Sequence, residues 1–223
     1  MRTLAIGDIH GCFRALQTLA EFVPFRDDDQ LIFLGDYVDR GQDSRAVLEW
    51  LIERWRQGNV VTLRGNHEIM MLMARDEPLT LRNWLMCGGD AVLSSYGTDG
   101  SYGWEQFIPD RHWQFLENQL DAYHETDLHF FVHANAYADV PLAEQPDVML
   151  YWEPFGFPAP HESGKVMICG HSSQHSGLPL NHGHAVCIDT RAVVGGWLTC
   201  LDVESGRYWQ ANQLGQSRQA RLE

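Results

Sequence analysis

The stretch LIFLGDYVDRG, Leu31–Gly41, places three charged side chains directly after a run of apolar residues. The letters LIFL predict a buried strand, and Asp36, Asp39 and Arg40 follow it within five positions. Burying a charge is costly unless it is paired or bound to a metal. The stretch therefore predicts a buried strand that ends at a functional site.

The first 75 residues alternate strand patterns with helical apolar stripes. The predicted strands are Thr3–Ile6, Gln30–Leu34 and Val60–Leu63, and the predicted helices are Phe13–Val23, a segment from Asp43 or Ser44 to Gln57, and Ile69–Ala74. This rhythm is typical of βαβ units and predicts an α/β fold with some parallel sheet.

The later part of the chain carries strand patterns with few helices between them. These strands are predicted at Leu128–Val132, Val166–Cys169, Ala185–Ile188 and Leu198–Val203. A mixed sheet or two packed sheets fits this pattern better than a doubly wound fold. Residues 76–125 are partly helical, and residues 136–164 are expected to form a long ordered loop. We expect one domain over residues 1–223, with a polar tail from about residue 213 that is prone to fraying.

The composition limits the partners of the protein. The 223 residues are 44% apolar, enough for one compact core, and the formal net charge is −14. Nucleic acid and anionic membranes favour basic surfaces, so we expect neither as a partner. No apolar run approaches the ~20 residues of a membrane span, and no targeting signal is recognisable. The five scattered cysteines form no CxxC pair, which favours reduced thiols and a cytoplasmic location.

Four other predicted strands also end in polar side chains. The polar side chains at these four strand ends are Asp8 and His10 in GDIHG, Asn66 and His67 in RGNHE, His133 in FVHAN, and His171 in CGHSS. Groups that follow the carboxyl ends of strands in an α/β sheet gather in one crevice. We therefore expect all of them to lie close to the residues of the Leu31–Gly41 stretch.

The residue types at these strand ends suit a pair of divalent metal ions. Imidazole, carboxylate and amide oxygen are ligands of Mn²⁺, Fe²⁺ or Zn²⁺. The predicted ligands are Asp8, His10 and Asp36 for one ion and Asn66, His133 and His171 for the other. Asp36 would bridge the two ions, which typically lie ~3.5–4 Å apart in such sites.

On GDIHG, GDYVDRG and RGNHE, followed by His133 and His171, the chain resembles the phosphoprotein phosphatase family of metallophosphatases, and its small bacterial members above all. The resemblance covers about residues 3–205. It implies the calcineurin-like fold, a central β-sandwich of mixed sheets flanked by helices, and two divalent ions, preferably Mn²⁺, with Fe or Zn as alternatives.

The resemblance also implies an activity and roles for single residues. His67 would be the general acid, oriented by Asp39, and Arg40 would bind the phosphate. The implied reaction is hydrolysis of phosphoserine or phosphothreonine in proteins by a hydroxide that bridges the two metals, with phosphotyrosine activity in addition. The partner would be a phosphoprotein or phosphopeptide.

The chain departs from the family in one loop. Family members commonly carry a second phosphate-binding arginine after a tryptophan between the two late histidines, but LYWEPFG at residues 150–156 has Glu153 after Trp152. Arg191 stands where small bacterial relatives often have glycine. We expect it to replace the missing arginine in part, the alternative being a surface arginine without a role.

Two other functions compete with a protein phosphatase. Hydrolysis of a phosphoanhydride is one, as in the diadenosine tetraphosphate hydrolases that resemble this family. Those usually read GNHD, whereas this chain reads GNHE and carries DRG after GDYV. The other is a catalytically dead scaffold, which is disfavoured because every predicted ligand, the acid and the main phosphate-binding arginine are present.

Overall fold

The strand bounds follow the apolar runs of the sequence. In the computed structural model, which describes residues 2–223, the strands are β1 (Thr3–Ile6), β2 (Gln30–Phe33), β3 (Val60–Thr62), β4 (Tyr123–Glu125), β5 (His129–Val132), β6 (Val166–Cys169), β7 (Leu180–Asn181), β8 (Ala185–Cys187), β9 (Leu198–Asp202), β10 (Arg207–Ala211) and β11 (Ser217–Arg221).

Most helices lie in the first half of the chain. They are α1 (Phe13–Phe22), α2 (Ser44–Arg56), α3 (Asn66–Asp76), α4 (Leu81–Trp84), α5 (Asp90–Ser95), α6 (Asp110–Asn118) and α7 (Asp147–Tyr151). A π-helical segment, Leu85–Gly89, joins α4 to α5. Short 3₁₀ turns lie at Trp104–Phe107, Leu142–Glu144 and Ala192–Val194. Among the helices of residues 2–223, none combines the length and the apolar character that crossing a membrane requires.

The strands form two mixed sheets. The first has the order β11-β10-β9-β1-β2-β3, and the second has the order β4-β5-β6-β8-β7. Strands β1, β2 and β3 are parallel to one another, and so are β5, β6 and β8. Both sheets therefore present a row of parallel carboxyl ends, which is where the predicted site residues follow.

The period-2 alternation of the strands produces the layers. In β1, Ala5 faces a core shared with Phe131 and Ile168 of the second sheet, whereas Leu4 and Ile6 pack against the helices. A third cluster covers the outer face of the second sheet. Two sheets that share one apolar interior, with helices outside, confirm the predicted β-sandwich fold.

Three expectations differ from the structure. The segment expected as a long loop, residues 136–164, contains the 3₁₀ turn Leu142–Glu144 and helix α7. Helix α3 begins at Asn66 rather than at Ile69, because its first turn consists of polar residues that an apolar pattern cannot reveal. The tail is polar but not frayed, since Ser217–Arg221 pairs in antiparallel register with β10. Asn212 stabilises the turn between β10 and β11, because its Oδ1 accepts hydrogen bonds from the backbone amides of Leu214 and Gln216 at 3.1 and 3.0 Å.

Candidate metal centre

The predicted ligands converge because the parallel strands end in register. Ile6 pairs with Phe33, and Phe33 pairs with Thr62, so the loops after β1, β2 and β3 start at one edge. His133 follows β5 and His171 follows β6 at the neighbouring edge of the second sheet. The structure brings the ligand atoms of two triplets within 4.8 Å of one another: His10, Asp36 and His67, and Asp36, His133 and His171.

The backbone of this region is held in a conformation that side chains seldom adopt. Seven non-glycine residues among residues 2–223 have a positive φ, and six of them are predicted site residues: His10, Asp36, Asp39, Arg40, His171 and Arg191. A left-handed conformation costs a non-glycine residue roughly 1–2 kcal/mol. Such strain clusters where the surrounding structure fixes side chains for a purpose.

Asp36 lies between the two triplets. Its Oδ2 is 3.4 Å from Nε2 of His10, and its Oδ1 is 3.4 Å from Nε2 of His133. One carboxylate thus faces both groups of candidate ligands. The bridging role of Asp36 stays a prediction.

The tautomers of the two histidines can be read from their backbone contacts. Nδ1 of His10 lies 2.9 Å from the carbonyl of Val38, and Nδ1 of His133 lies 2.8 Å from the carbonyl of Leu34. A carbonyl only accepts, so each Nδ1 carries the proton and each Nε2 of a neutral ring exposes a lone pair. Burial lowers the pKa of His10 to about 3, which keeps that ring neutral. Lone pairs facing a carboxylate are satisfied by a cation placed between them.

Asn66 joins the second triplet. Its Oδ1 is 3.1 Å from Nε2 of His133 and 3.2 Å from Nδ1 of His171. Nε2 of His171 lies 3.2 Å from the carbonyl of Trp152, so its Nδ1 also offers a lone pair. Burial lowers the pKa of His171 to about 4. Three acceptor atoms that meet in this way fit a divalent cation.

Asp8 lies beside this centre but in neither triplet. Its carboxylate accepts the amide of His171 at 2.9 Å, and it approaches Gly170 so closely that a Cβ there would lie 2.0 Å from Oδ1. Burial, followed by the charges of Asp189 and Asp36, raises the pKa of Asp8 well above its usual range. Three buried carboxylates that repel one another are a further reason for cations at this site.

His67 is held by a buried hydrogen-bonded chain. Its Nδ1 is 2.5 Å from Oδ2 of Asp39, and Nε1 of Trp84 donates to both oxygens of Asp39 at 2.9 and 3.1 Å. Burial raises the pKa of Asp39 to about 6, although the hydrogen bond with His67 acts in the opposite direction and lowers it. Burial would lower the pKa of His67, but the charge of Asp36 and the bond to Asp39 outweigh it and raise that pKa. The pair therefore retains a proton, and Nε2 of His67 faces the metal side, 3.9 Å from Oδ2 of Asp36.

Arg40 reaches the same centre from the end of the Leu31–Gly41 stretch. Its Nη1 donates to Nε2 of His10 at 2.9 Å, and its backbone amide donates to the carbonyl of Gly88 at 2.9 Å. Gly88 has a φ of 109°, and a Cβ there would lie 2.7 Å from Cγ of Arg40. Gly88 of the π-helical segment thus allows the chain to pack directly against this arginine.

Glu68 fixes the turn that carries Asp36. Its buried carboxylate accepts the amides of Asp36 and Gly65 at 2.9 Å each, the amide of Tyr37 at 2.8 Å and that of Val38 at 3.3 Å. Four backbone donors thus converge on one side chain in the first turn of α3, which clamps the neighbouring loop.

Glu68→Gln should lower the free energy of unfolding by roughly 3 kcal/mol, because the amide group of glutamine turns a donor towards backbone donors in a buried site. Urea denaturation of the metal-free protein measures this loss. The exposed Glu21→Gln on α1 is the matched control and should change stability by less than about 0.5 kcal/mol. Equal stabilities of the two variants would contradict the clamp.

Arg191 is placed apart from the triplets. Its guanidinium contacts Nδ1 of His175, and its backbone amide donates to Oδ1 of Asp189 at 3.0 Å. The loop that departs from the family pattern does reach the centre, but through the carbonyl of Trp152 on His171 rather than through a charged side chain.

Sequence reasoning missed several residues that shape this site. Trp84 donates to Asp39, Gly88 packs against Arg40, and Glu68 accepts amides of the Asp36 turn. The charge of Asp189 raises the pKa of Asp8. In the sequence, the two adjacent glycines of CGGD at residues 87–90 indicate a bend, but they do not indicate a contact with Arg40.

Comparison with known proteins places the site in a family. The profile described as calcineurin-like phosphoesterase matches residues 1–189. A serine/threonine-protein phosphatase 1 from Salmonella typhimurium is 43% identical over 86 residues, which are 38% of this chain and 38% of that protein. A symmetrical bis(5'-nucleosyl)-tetraphosphatase from Legionella pneumophila is 42% identical over 73 residues, 32% of this chain and 26% of that protein. The alignments thus span well under half of either relative.

The similarity extends to a solved structure. The cold-active protein-tyrosine phosphatase of a psychrophilic Shewanella species superposes with a TM-score of 0.64 at 18% identity, covering 98% of this chain and 80% of that one. At this identity the match concerns the fold. Because the family profile covers most of the chain, the protein belongs to the calcineurin-like phosphoesterase family, and its resemblance to the phosphoprotein phosphatases is confirmed.

Proposed function

We propose that this metallophosphoesterase is a dinuclear-metal-dependent phosphomonoesterase that hydrolyses phosphoserine and phosphothreonine in proteins, and phosphotyrosine in addition. The observation that carries the proposal is the placement of Asp36, whose two oxygens face the lone pairs of His10 and His133 at 3.4 Å each. The Salmonella relative, named a serine/threonine-protein phosphatase, supports the same substrate class. A cytoplasmic location stays a prediction.

The proposed ligands are the residues of the two triplets except His67. Asp8 and Asn66 complete the set. Asp8, His10 and Asp36 would hold one ion, and Asp36, Asn66, His133 and His171 would hold the other. Divalent cations, when bound, supply Lewis-acid stabilisation of the phosphoryl oxygens and activation of the attacking water. Mn²⁺ suits this mixture of imidazole and oxygen ligands, and Fe or Zn would also fit.

The side chains around the ions have separate roles. His67, held by Asp39, would donate its Nε2 proton to the leaving oxygen, because a serine or threonine alkoxide leaves poorly without one. Arg40 would bind the phosphoryl oxygens, since its planar guanidinium matches their geometry better than a lysine. The lone pair on Nε2 of His10 can bind either the guanidinium of Arg40 or a cation, but not both. We therefore expect Arg40 to move away from His10 when a cation binds.

Trp84→Phe should lower kcat on a phosphothreonine peptide by roughly tenfold, because a hydrogen bond to a charged group contributes about 1.5–3 kcal/mol and Asp39 would lose one. KM should change little, since Trp84 does not touch the phosphate site. Trp104→Phe is the matched control, because Trp104 packs on Trp84 with ring centroids 5.3 Å apart but makes no bond to Asp39. If the control loses as much kcat as Trp84→Phe, the effect comes from packing rather than from Asp39.

A second candidate function is hydrolysis of a nucleotide phosphoanhydride. The Legionella relative, named a symmetrical bis(5'-nucleosyl)-tetraphosphatase, favours it at an identity close to that of the phosphatase relative. A nucleoside diphosphate leaves more easily than an alkoxide and needs a proton donor less. The built His67–Asp39–Trp84 chain therefore favours the phosphomonoester.

The test compares both substrates under one set of conditions. Metal-stripped protein is reloaded with Mn²⁺ and given a phosphothreonine peptide and diadenosine tetraphosphate in parallel. The proposal expects a higher kcat/KM on the peptide. A higher kcat/KM on diadenosine tetraphosphate would show that the protein is a phosphoanhydride hydrolase. The absence of metal-dependent turnover on both substrates would contradict the proposed phosphomonoesterase activity.

A further inference from the structure

A separate recess lies between the segment that follows the predicted ligand His171 and the turn that follows β8. Its volume is about 390 Å³, within the range of small-ligand pockets. The lining residues are His175, Ser176, Gly177, Thr190, Arg191, Val194, Gly195, Gly196 and Trp197. None of them is a predicted metal ligand, the acid or Arg40.

The recess is basic in an acidic protein. The chain has 30 acidic residues, yet no aspartate or glutamate lines this cavity. Arg191 and His175 meet there through the guanidinium and Nδ1. Arg218 stacks over the ring of the lining Trp197, 4.2 Å from its centroid, and donates to the carbonyl of Gly177 at 2.8 Å. A polar cavity with this charge suits an anion.

Asp189 ties the recess to the metal centre. Its carboxylate accepts the backbone amide of the lining residue Arg191 at 3.0 Å and the hydroxyl of Ser173, two residues after the predicted ligand His171, at 2.6 Å. The residue before Asp189, Ile188, packs against Gly7, the neighbour of Asp8, so closely that a Cβ on Gly7 would lie 2.7 Å from the Ile188 carbonyl oxygen. His175 is also only four residues beyond the predicted ligand His171. The segment that carries His171 thus continues directly into the lining of the recess.

The backbone at Arg191 supports a role for its side chain. Its φ is 67°, a region in which glycine is the unstrained choice. Gly196 packs against the same turn so closely that a Cβ would lie 2.3 Å from the carbonyl of Thr190. The fold thus retains a long cation at a position where its backbone costs free energy.

We infer that this recess is a second anion subsite, in which Arg191 and His175 bind a phosphate or carboxylate that the substrate carries beside its scissile phosphate. The inference rests on the proposed function, because it assigns a substrate feature to the same active site. A phosphopeptide with a neighbouring acidic residue and a nucleotide with a chain of phosphates both carry such a group.

The experiment uses two matched substrate pairs with the Mn²⁺-loaded protein. One pair is a phosphothreonine peptide with a neighbouring glutamate and the same peptide with glutamine. The other is diadenosine tetraphosphate and p-nitrophenyl phosphate. Within each pair, kcat/KM for the substrate with the additional anionic group is divided by kcat/KM for the substrate without it. This ratio is compared among the wild type, Arg191→Gln, Arg191→Gly and the exposed Arg56→Gln on α2. Arg191→Gly suits the positive φ, so a folding defect does not explain its behaviour.

Both Arg191 variants should lower the ratio by roughly tenfold or more in at least one pair, and Arg56→Gln should leave it unchanged. The pair that responds tells whether the second group is a carboxylate or a phosphate. An unchanged ratio in both pairs, even with lower overall turnover, would overturn the inference, because Arg191 would then act on the scissile phosphate or on the fold.

A binding measurement separates this inference from the proposed function. Calorimetry of the Mn²⁺-loaded protein compares inorganic pyrophosphate, which has two anionic groups, with inorganic phosphate, at matched free Mn²⁺. Arg191→Gly should weaken pyrophosphate binding at least about tenfold more than phosphate binding. Equal changes in the two affinities would contradict the subsite, whether or not the wild type turns over any substrate.

Discussion

His67→Asn is expected to lower kcat on a phosphothreonine peptide by about 10²–10⁴-fold while the protein keeps both cations. The reason lies in the hydrogen-bonded chain, in which Nδ1 of His67 is 2.5 Å from Asp39 and Nε2 faces the metal side. Asparagine keeps a donor near the Nδ1 position, so Asp39 is not left unpaired. What the variant loses is the proton at Nε2.

Two readouts identify the lost role of His67. The drop in kcat should be smaller on p-nitrophenyl phosphate, because p-nitrophenolate leaves without a proton. Metal content should stay unchanged, although His67 belongs to a triplet whose ligand atoms lie within 4.8 Å of one another. Equal losses on both substrates together with loss of a cation would make His67 a metal ligand instead. His124→Asn, half-buried on β4, is the matched control and should change neither readout.

Asp36→Asn is expected to reduce metal content and to lower kcat by roughly 10³-fold or more, since metals supply several kcal/mol of transition-state stabilisation. Burial alone would raise the pKa of Asp36, but the surrounding histidines, His133 first, hold it below its usual range and keep the carboxylate ionised. Asparagine removes this charge and would leave a single side-chain oxygen for the two proposed ions.

The folded structure should tolerate this substitution. The amide of His67 donates to Oδ1 of Asp36 at 3.1 Å, and an asparagine oxygen can accept the same bond. The melting temperature of the metal-free variant should therefore stay within a few degrees of the wild type, whereas its rise on Mn²⁺ addition should shrink. The exposed Asp127→Asn controls for the charge. Full metal content and full activity in Asp36→Asn would refute the bridging role.

The sequence was most informative where local pattern and chemistry coincide. The apolar runs of β1 and β2 could be predicted to within one residue, because each is a buried strand bounded by glycine. The convergence of Asp8, Asp36 and His133 followed from the rule that strand ends share one edge. This rule depends only on topology, so it needs no knowledge of side-chain contacts.

What could not be predicted depends on contacts between distant segments. Trp84 is 45 positions from Asp39, and nothing in its own neighbourhood indicates a hydrogen bond to a carboxylate. Glu68 was read only as part of a motif, yet its carboxylate clamps a loop about 30 residues away. The tail beyond residue 213 is polar because β11 is an edge strand, and edge strands tolerate polar residues on both faces.

In the proposed centre, Asp36 would be a ligand shared by two cations that support hydrolysis of a phosphomonoester. The most direct test of this centre is to titrate Mn²⁺ into metal-stripped protein while following metal content and phosphate release from a phosphothreonine peptide together. Turnover should appear as the second equivalent of metal binds, and it should be absent in Asp36→Asn. Full turnover with one equivalent, or turnover without metal, would contradict the dinuclear centre.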